Sequence, residues 1–113
     1  MEELQVGDYT RSTDGEISKL LYKTKYDNGV DRYVFENDVG MSNPEYYIVK
    51  HSKNKIDLIE IGDYANGEYV YELGNSENGD KWVHTLNGHL YYEKDIKIIW
   101  TKEQLKSIEY NVN

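Results

Sequence analysis

The 113-residue sequence contains no cysteine, one proline, one alanine and only two arginines. Without cysteine there is no disulfide framework, no thiolate metal site and no cysteine nucleophile. No run approaches the roughly 20 apolar residues of a membrane span. The opening Met1-Glu2-Glu3-Leu4 has neither the basic region nor the apolar stretch of a secretory signal, so the chain reads as a soluble cytoplasmic protein that avoids membranes. Cations are scarce: 13 Lys and Arg face 21 Asp and Glu, for a net charge of -8. That balance disfavours direct contact with nucleic acid or anionic lipid, both of which reward Lys and Arg, and points to a basic protein partner. The motifs of common chemistries are missing as well. There is no Gly-Lys-Ser/Thr phosphate loop, no Gly-x-Ser-x-Gly elbow and no His-Glu-x-x-His helix. Aligning Gly29 or Gly79 with the sixth position of a calcium loop puts Thr24 or Gly74 where the first carboxylate belongs. No catalytic residue, metal or cofactor is assigned, and the chain reads as non-enzymatic.

Turn chemistry is what the sequence has in abundance. Asp14-Gly15, Asn28-Gly29, Asn66-Gly67, Asn78-Gly79 and Asn87-Gly88 are hairpin dipeptides able to adopt the positive φ angles of tight turns. Between them run short alternating segments such as Ile17/Lys19/Leu21, Tyr69/Tyr71/Leu73, Trp82/His84/Leu86 and Ile96/Ile98, each with the period of a half-buried strand. An internal repeat organises them. Leu4-Gln5-Val6-Gly7-Asp8-Tyr9 recurs as Ile59-Glu60-Ile61-Gly62-Asp63-Tyr64, followed in each copy by a turn and further strands. The chain is expected to be mainly β with short helical turns: two tandem SH3-like β-barrel or sheet modules, residues 1–55 and 56–113, fused into one body or separate. The second module ends in a short helix, for which Thr101 and Gln104 form a capping box, and a strand. Val6 and Ile61 are expected to point into apolar surroundings, and at least one of Trp82 and Trp100 into the core.

Val6-Gly7-Asp8-Tyr9 with Asp14-Gly15, the run from Lys50 to Gly67, Thr101-Lys102-Glu103-Gln104 and the terminal Ile108-Glu109-Tyr110-Asn111-Val112 resemble short accessory proteins of phages and prophages from low-GC Gram-positive bacteria. The resemblance implies a mobile-element origin, a site of action in the bacterial cytoplasm and, by association, antagonism of host defence of the anti-CRISPR type directed at type II CRISPR nucleases. It supplies no catalytic residues.

The acid is concentrated. From Ile56 to Asp80 there are seven carboxylates (Asp57, Glu60, Asp63, Glu68, Glu72, Glu77, Asp80) and no Lys or Arg. Alternate side chains on a strand lie about 6.6 Å apart, near the phosphate spacing of one nucleic-acid strand, so Glu68 and Glu72 can imitate two points of a phosphate ladder. The seven are candidate partner-binding residues, with a nucleic-acid-binding nuclease as the partner that such a mimic fits. The 12 tyrosines add large, stiff contact surfaces with a polar tip. One member each of Tyr46-Tyr47 and Tyr91-Tyr92 is expected to face outward, with Tyr46 and Tyr91 as the candidates. Tyr69 and Tyr71 should face away from Glu68 and Glu72. A two-residue Asn87-Gly88 turn places His84 and His89 about 6 Å apart on one face, short of the three protein ligands that zinc needs. The alternative to an inhibitor is a phage structural or assembly module forming a homo-oligomer from the same β framework.

Overall fold

The computed structural model describes residues 3–37 and 39–111, the last five as backbone alone. The chain divides into two compact units, 1–58 and 59–113. In the first, strands β1 (Tyr9–Ser12), β2 (Ile17–Lys25), β3 (Asp31–Phe35), β4 (Gly40–Met41) and β5 (Ile48–Ser52) form an antiparallel sheet of order β4-β3-β2-β1-β5. In the second, β6 (Tyr64–Ala65), β7 (Glu68–Asn75), β8 (Lys81–Thr85), β9 (Leu90–Tyr92) and β10 (Ile99–Trp100) form a sheet of order β10-β6-β7-β8-β9. Reading each unit from its own first strand, the two orders are the same. The protein is therefore mainly β, with two sheet modules, and each sheet is open rather than closed into a barrel. Among the described residues no helix is long and apolar enough to cross a membrane.

The repeated Gly-Asp sequence is a corner that precedes the first strand of each unit. Asp8 N donates to Gln5 O at 2.9 Å and Asp63 N to Glu60 O at 3.0 Å, with Gly7 at φ 94° and Gly62 at φ 100°. A positive φ at the third residue of such a turn marks type II geometry, which glycine adopts without strain. Val6 and Ile61, at the second turn position, are thereby turned outward and are 51% and 53% exposed. The expectation that they point inward is corrected: Leu4 and Ile59, two positions earlier, are the buried members, at 3% and 2%. The corners dock alike, since Gly7 N donates to Leu20 O and Leu20 N to Asp8 O, while Gly62 N donates to Val70 O and Val70 N to Asp63 O.

Four of the five hairpin dipeptides form three-residue loops. Tyr26 N donates to Val30 O and Gly29 N to Tyr26 O, and the same two bonds recur around Gly15, Gly79 and Gly88. Only Asn66-Gly67 is a two-residue turn, with both residues at positive φ (53° and 80°) as type I′ geometry requires. The first hairpin of unit 1 is correspondingly longer. Past it, Leu20 paired with Phe35 corresponds to Val70 paired with Thr85, and Thr24 paired with Arg32 to Gly74 paired with Trp82. Each β2–β3 and β7–β8 ladder also carries a register shift, between Leu20 and Tyr22 and between Val70 and Glu72.

Leu4, Leu20, Phe35 and Ile48 form the core of unit 1, with Tyr33 and Met41 packed against them. Among the described residues, Ile59, Ala65, Val70, Val83 and Ile96 are the buried apolar residues of unit 2. Neither tryptophan is buried: Trp82 is half-buried and Trp100 is 44% exposed, because β-branched and small residues take the inward positions. Helix α1 (Lys102–Asn111) begins with the expected capping box, Gln104 N donating to Thr101 Oγ1 at 3.4 Å and Thr101 N to Gln104 Oε1 at 3.0 Å. It continues through Asn111, so the strand expected after a short helix does not form within the described residues, and Val112 and Asn113 lie outside them.

Candidate functional site

The seven carboxylates of the acidic run do not form one ladder. Asp57 belongs to unit 1, where it is half-buried and accepts a hydrogen bond from Ser52 Oγ. Asp63 is fully buried in the corner of unit 2, accepting from Glu60 N at 2.7 Å and from Lys102 N at 2.9 Å. It links the corner to the first residue of α1, where the unpaired amides of a helix start favour a carboxylate. Glu60 pairs with Lys102 Nζ at 2.8 Å, which raises the lysine above its usual pKa. Asp63 is therefore corrected as a candidate contact residue, since a buried carboxylate engaged on both oxygens cannot touch a partner.

Unit 1 uses the equivalent Asp8 in the same way. Its carboxylate accepts from Gln5 N at 2.9 Å and meets His51 Nδ1 at 2.9 Å and Lys53 Nζ at 2.8 Å. Burial pushes its pKa upward, and the bonds from Lys53, Gln5 N and His51 together outweigh burial and hold it below the ordinary value. The Gly-Asp repeat is thus a structural staple in both units.

Glu68 is also turned inward, and its side chain is only 16% exposed. Thr85 Oγ1 donates to Oε1 at 2.8 Å, His89 Nδ1 lies 2.7 Å from the same oxygen, and Tyr91 Oη donates to Oε2 at 2.5 Å. The Tyr91 bond, then the His89 bond, lower the Glu68 pKa to about 2, and the same carboxylate raises that of Tyr91. Glu68 and Tyr91, both candidate partner-binding residues, are thus brought together by the fold in one polar cluster whose His89 side chain is 59% exposed.

Glu72 lies elsewhere. The register shift at β7 breaks the alternation, so Tyr71 and Glu72 both reach His84, with Tyr71 Oη at 2.9 Å and Glu72 Oε1 at 3.2 Å from Nδ1. The expectation that Tyr71 faces away from Glu72 fails at this bulge, and the two-point phosphate ladder of Glu68 and Glu72 fails with it. The histidines also part company. In the three-residue loop His84 pairs with Leu90 and Val83 with Tyr91, so His84 joins Glu72 while His89 joins Glu68 and Tyr91. Among the described residues no group of three or more His, Cys, Asp or Glu is placed to hold a metal.

Three carboxylates of the run are exposed. Glu72, Glu77 and Asp80 are exposed along the β7–β8 hairpin, as are Tyr71 and Leu73, although Leu73 pairs with Val83 and so lies on the face opposite Glu72. Trp82, which the composition marks only as a core candidate, stands on the same strand as His84 and packs against Gly74 across the ladder. A cross-strand Gly-Trp pair is a signal that strand register alone reveals. Tyr46 is 74% exposed in unit 1, and Tyr47 beside it is 53% exposed, so both members of that pair face solvent. No protein-family profile, no curated protein and no solved structure matches the chain.

Proposed function

We propose that the chain is a non-enzymatic acidic protein that binds a basic host-defence factor and inhibits it by occupying the surface where that factor holds nucleic acid. The supporting observation is the hairpin of β7 and β8, where Glu72, Glu77 and Asp80 are all exposed and Tyr71 stands beside Glu72 at His84. Such a hairpin offers three negative charges on a stiff support, with adjoining apolar area to exclude water. A basic channel attracts it at long range, and added salt weakens that attraction. Of the seven carboxylates of the run, the exposed three lie on this hairpin, so the mimicry is of local charge rather than of a long phosphate ladder.

The test is DNA cleavage by a guide-loaded type II CRISPR nuclease with increasing amounts of the protein, at low and high salt. Inhibition that salt relieves, and that the Glu72→Lys, Glu77→Lys, Asp80→Lys triple variant loses while still folded, is expected. Undiminished inhibition by the triple variant sinks the hairpin assignment. If the parent neither inhibits the nuclease nor captures any basic protein at low salt, the binding function itself falls. A second reading, self-assembly, is favoured by Tyr46, Tyr47 and Val49, exposed next to or on the end strand β5. Light scattering that finds a closed homo-oligomer disrupted by Val49→Lys would support it.

A further inference from the structure

Resting on the proposed acidic binding function, the geometry points to a specific recognition chemistry: we infer that the outer face of the β7–β8–β9 sheet binds arginine side chains of the partner, stacking their guanidinium groups on Trp82 and pairing them with Glu72. Strand alternation defines this face. Val83 and Thr85 point inward and are buried, which leaves Trp82 and His84 outward on β8, with Glu72 and Gly74 opposite them on β7 and Leu90 and Tyr92 opposite them on β9.

The aromatic groups lie against one another and against a glycine. A Cβ on Gly74 would overlap indole atoms of Trp82, so the ring occupies space that only a glycine leaves open. The ring therefore lies over the Gly74 backbone, and the residue is half-buried rather than covered. The Tyr71 and His84 rings lie 4.8 Å apart, and Trp82 meets His84 edge-on with centroids 6.4 Å apart. The result is an aromatic stripe with the Glu72 carboxylate, 53% exposed, at its side and the exposed Glu77 and Asp80 at the hairpin tip.

Charge complementarity selects the occupant. Aromatic faces attract cations, and nearby carboxylates add a second attraction and a geometric partner. Between the two biological cations, guanidinium is planar, weakly hydrated and able to stack while its edge donates to a carboxylate, whereas an ammonium is a strongly hydrated point charge. Unit 1 provides an internal comparison at the equivalent ladder position. There Arg32 stands in place of Trp82, its guanidinium 5.5 Å from the Tyr26 ring centroid and its Nε close to where a Cβ on Gly40 would fall. The same sheet position thus accommodates an arginine of its own in one unit and an aromatic-acid surface in the other.

The experiment titrates nona-arginine and nona-lysine into the intact chain carrying Trp100→Phe, so that Trp82 is the sole tryptophan, and follows its fluorescence. Nona-arginine is expected to bind about tenfold more tightly than nona-lysine and to perturb the Trp82 emission. In Trp82→Leu, with binding followed by calorimetry and folding checked by circular dichroism, the preference should fall to about parity while binding of nona-lysine persists. Trp82→Phe should restore part of the preference, which a merely structural role for Trp82 would not do. Equal binding of the two peptides by the Trp100→Phe protein, or an arginine preference that survives Trp82→Leu, overturns the stacking inference and leaves the basic-partner function standing. Failure to bind either peptide at low salt counts against both.

Discussion

Asp63 Oδ1 accepts the backbone N–H of Lys102 at 2.9 Å, tying the repeated Gly-Asp corner to the first turn of the only α-helix in the described residues. The same carboxylate holds Glu60 N through its other oxygen. Hydrogen bonds to a buried charged group are worth about 1.5 to 3 kcal/mol, and leaving their donors unpaired costs more than the bonds alone. Asp63→Ala is expected to destabilise the protein by about 3 kcal/mol, read from denaturant unfolding. A variant within about 0.5 kcal/mol of the parent would show that the corner is held by something else.

Acid should loosen the cluster around Glu68. Its folded pKa, about 2, lies below its ordinary value of 4.5. A depressed carboxylate contributes stability that is complete above the ordinary pKa and is lost as pH falls through the folded one. Thermal unfolding followed from pH 5 to pH 2 should therefore show a decline in which Glu68 takes part. Glu68→Gln should flatten that decline. A variant with an unchanged acid slope would remove Glu68 as a contributor.

The buried residues and the exposed tryptophan should differ sharply. Leu20 is fully buried and Trp100 is 44% exposed. Leu20→Ala is expected to cost about 2 to 5 kcal/mol and Trp100→Ala less than half as much. The reverse order in chemical denaturation would mean that the core has been misplaced.

Two glycines should resist substitution for different reasons. Gly67 has φ 80° and open space where a Cβ would stand, so Gly67→Ala meets only the backbone penalty of about 1 to 2 kcal/mol. Gly74 is not at positive φ, but its Cβ would overlap the Trp82 ring. Gly74→Ala should therefore shift the Trp82 fluorescence in the Trp100→Phe background, and Gly67→Ala should leave it unchanged.

Much of the architecture was legible in the residue order. Period-two alternation and five glycine turns identify a β protein, and the Gly-Asp repeat identifies two modules, because both signals are local and glycine at positive φ has few substitutes. The Thr101–Gln104 box was legible for the same reason, its partners being three residues apart. Loop length was not. Asn66-Gly67 and Asn87-Gly88 look alike in sequence, yet one forms a two-residue turn and the other part of a three-residue loop. The one-residue difference moved His84 away from His89.

The sequence by itself determined that the protein is acidic, lacks cysteine and builds paired β modules from a repeat. Only the tertiary structure decided which acids remain available, because burial and cross-strand pairing depend on register. Asp63 and Glu68 read as charges in the sequence, but the fold turns one into a helix anchor and the other into the acceptor of Thr85, His89 and Tyr91. At least one of Trp82 and Trp100 is expected in the core, but the register of β8 turns Val83 and Thr85 inward and leaves Trp82 on the outer face, over Gly74. A one-residue slip in strand pairing exchanges the two faces of a sheet, and alternation alone does not say where a slip occurs.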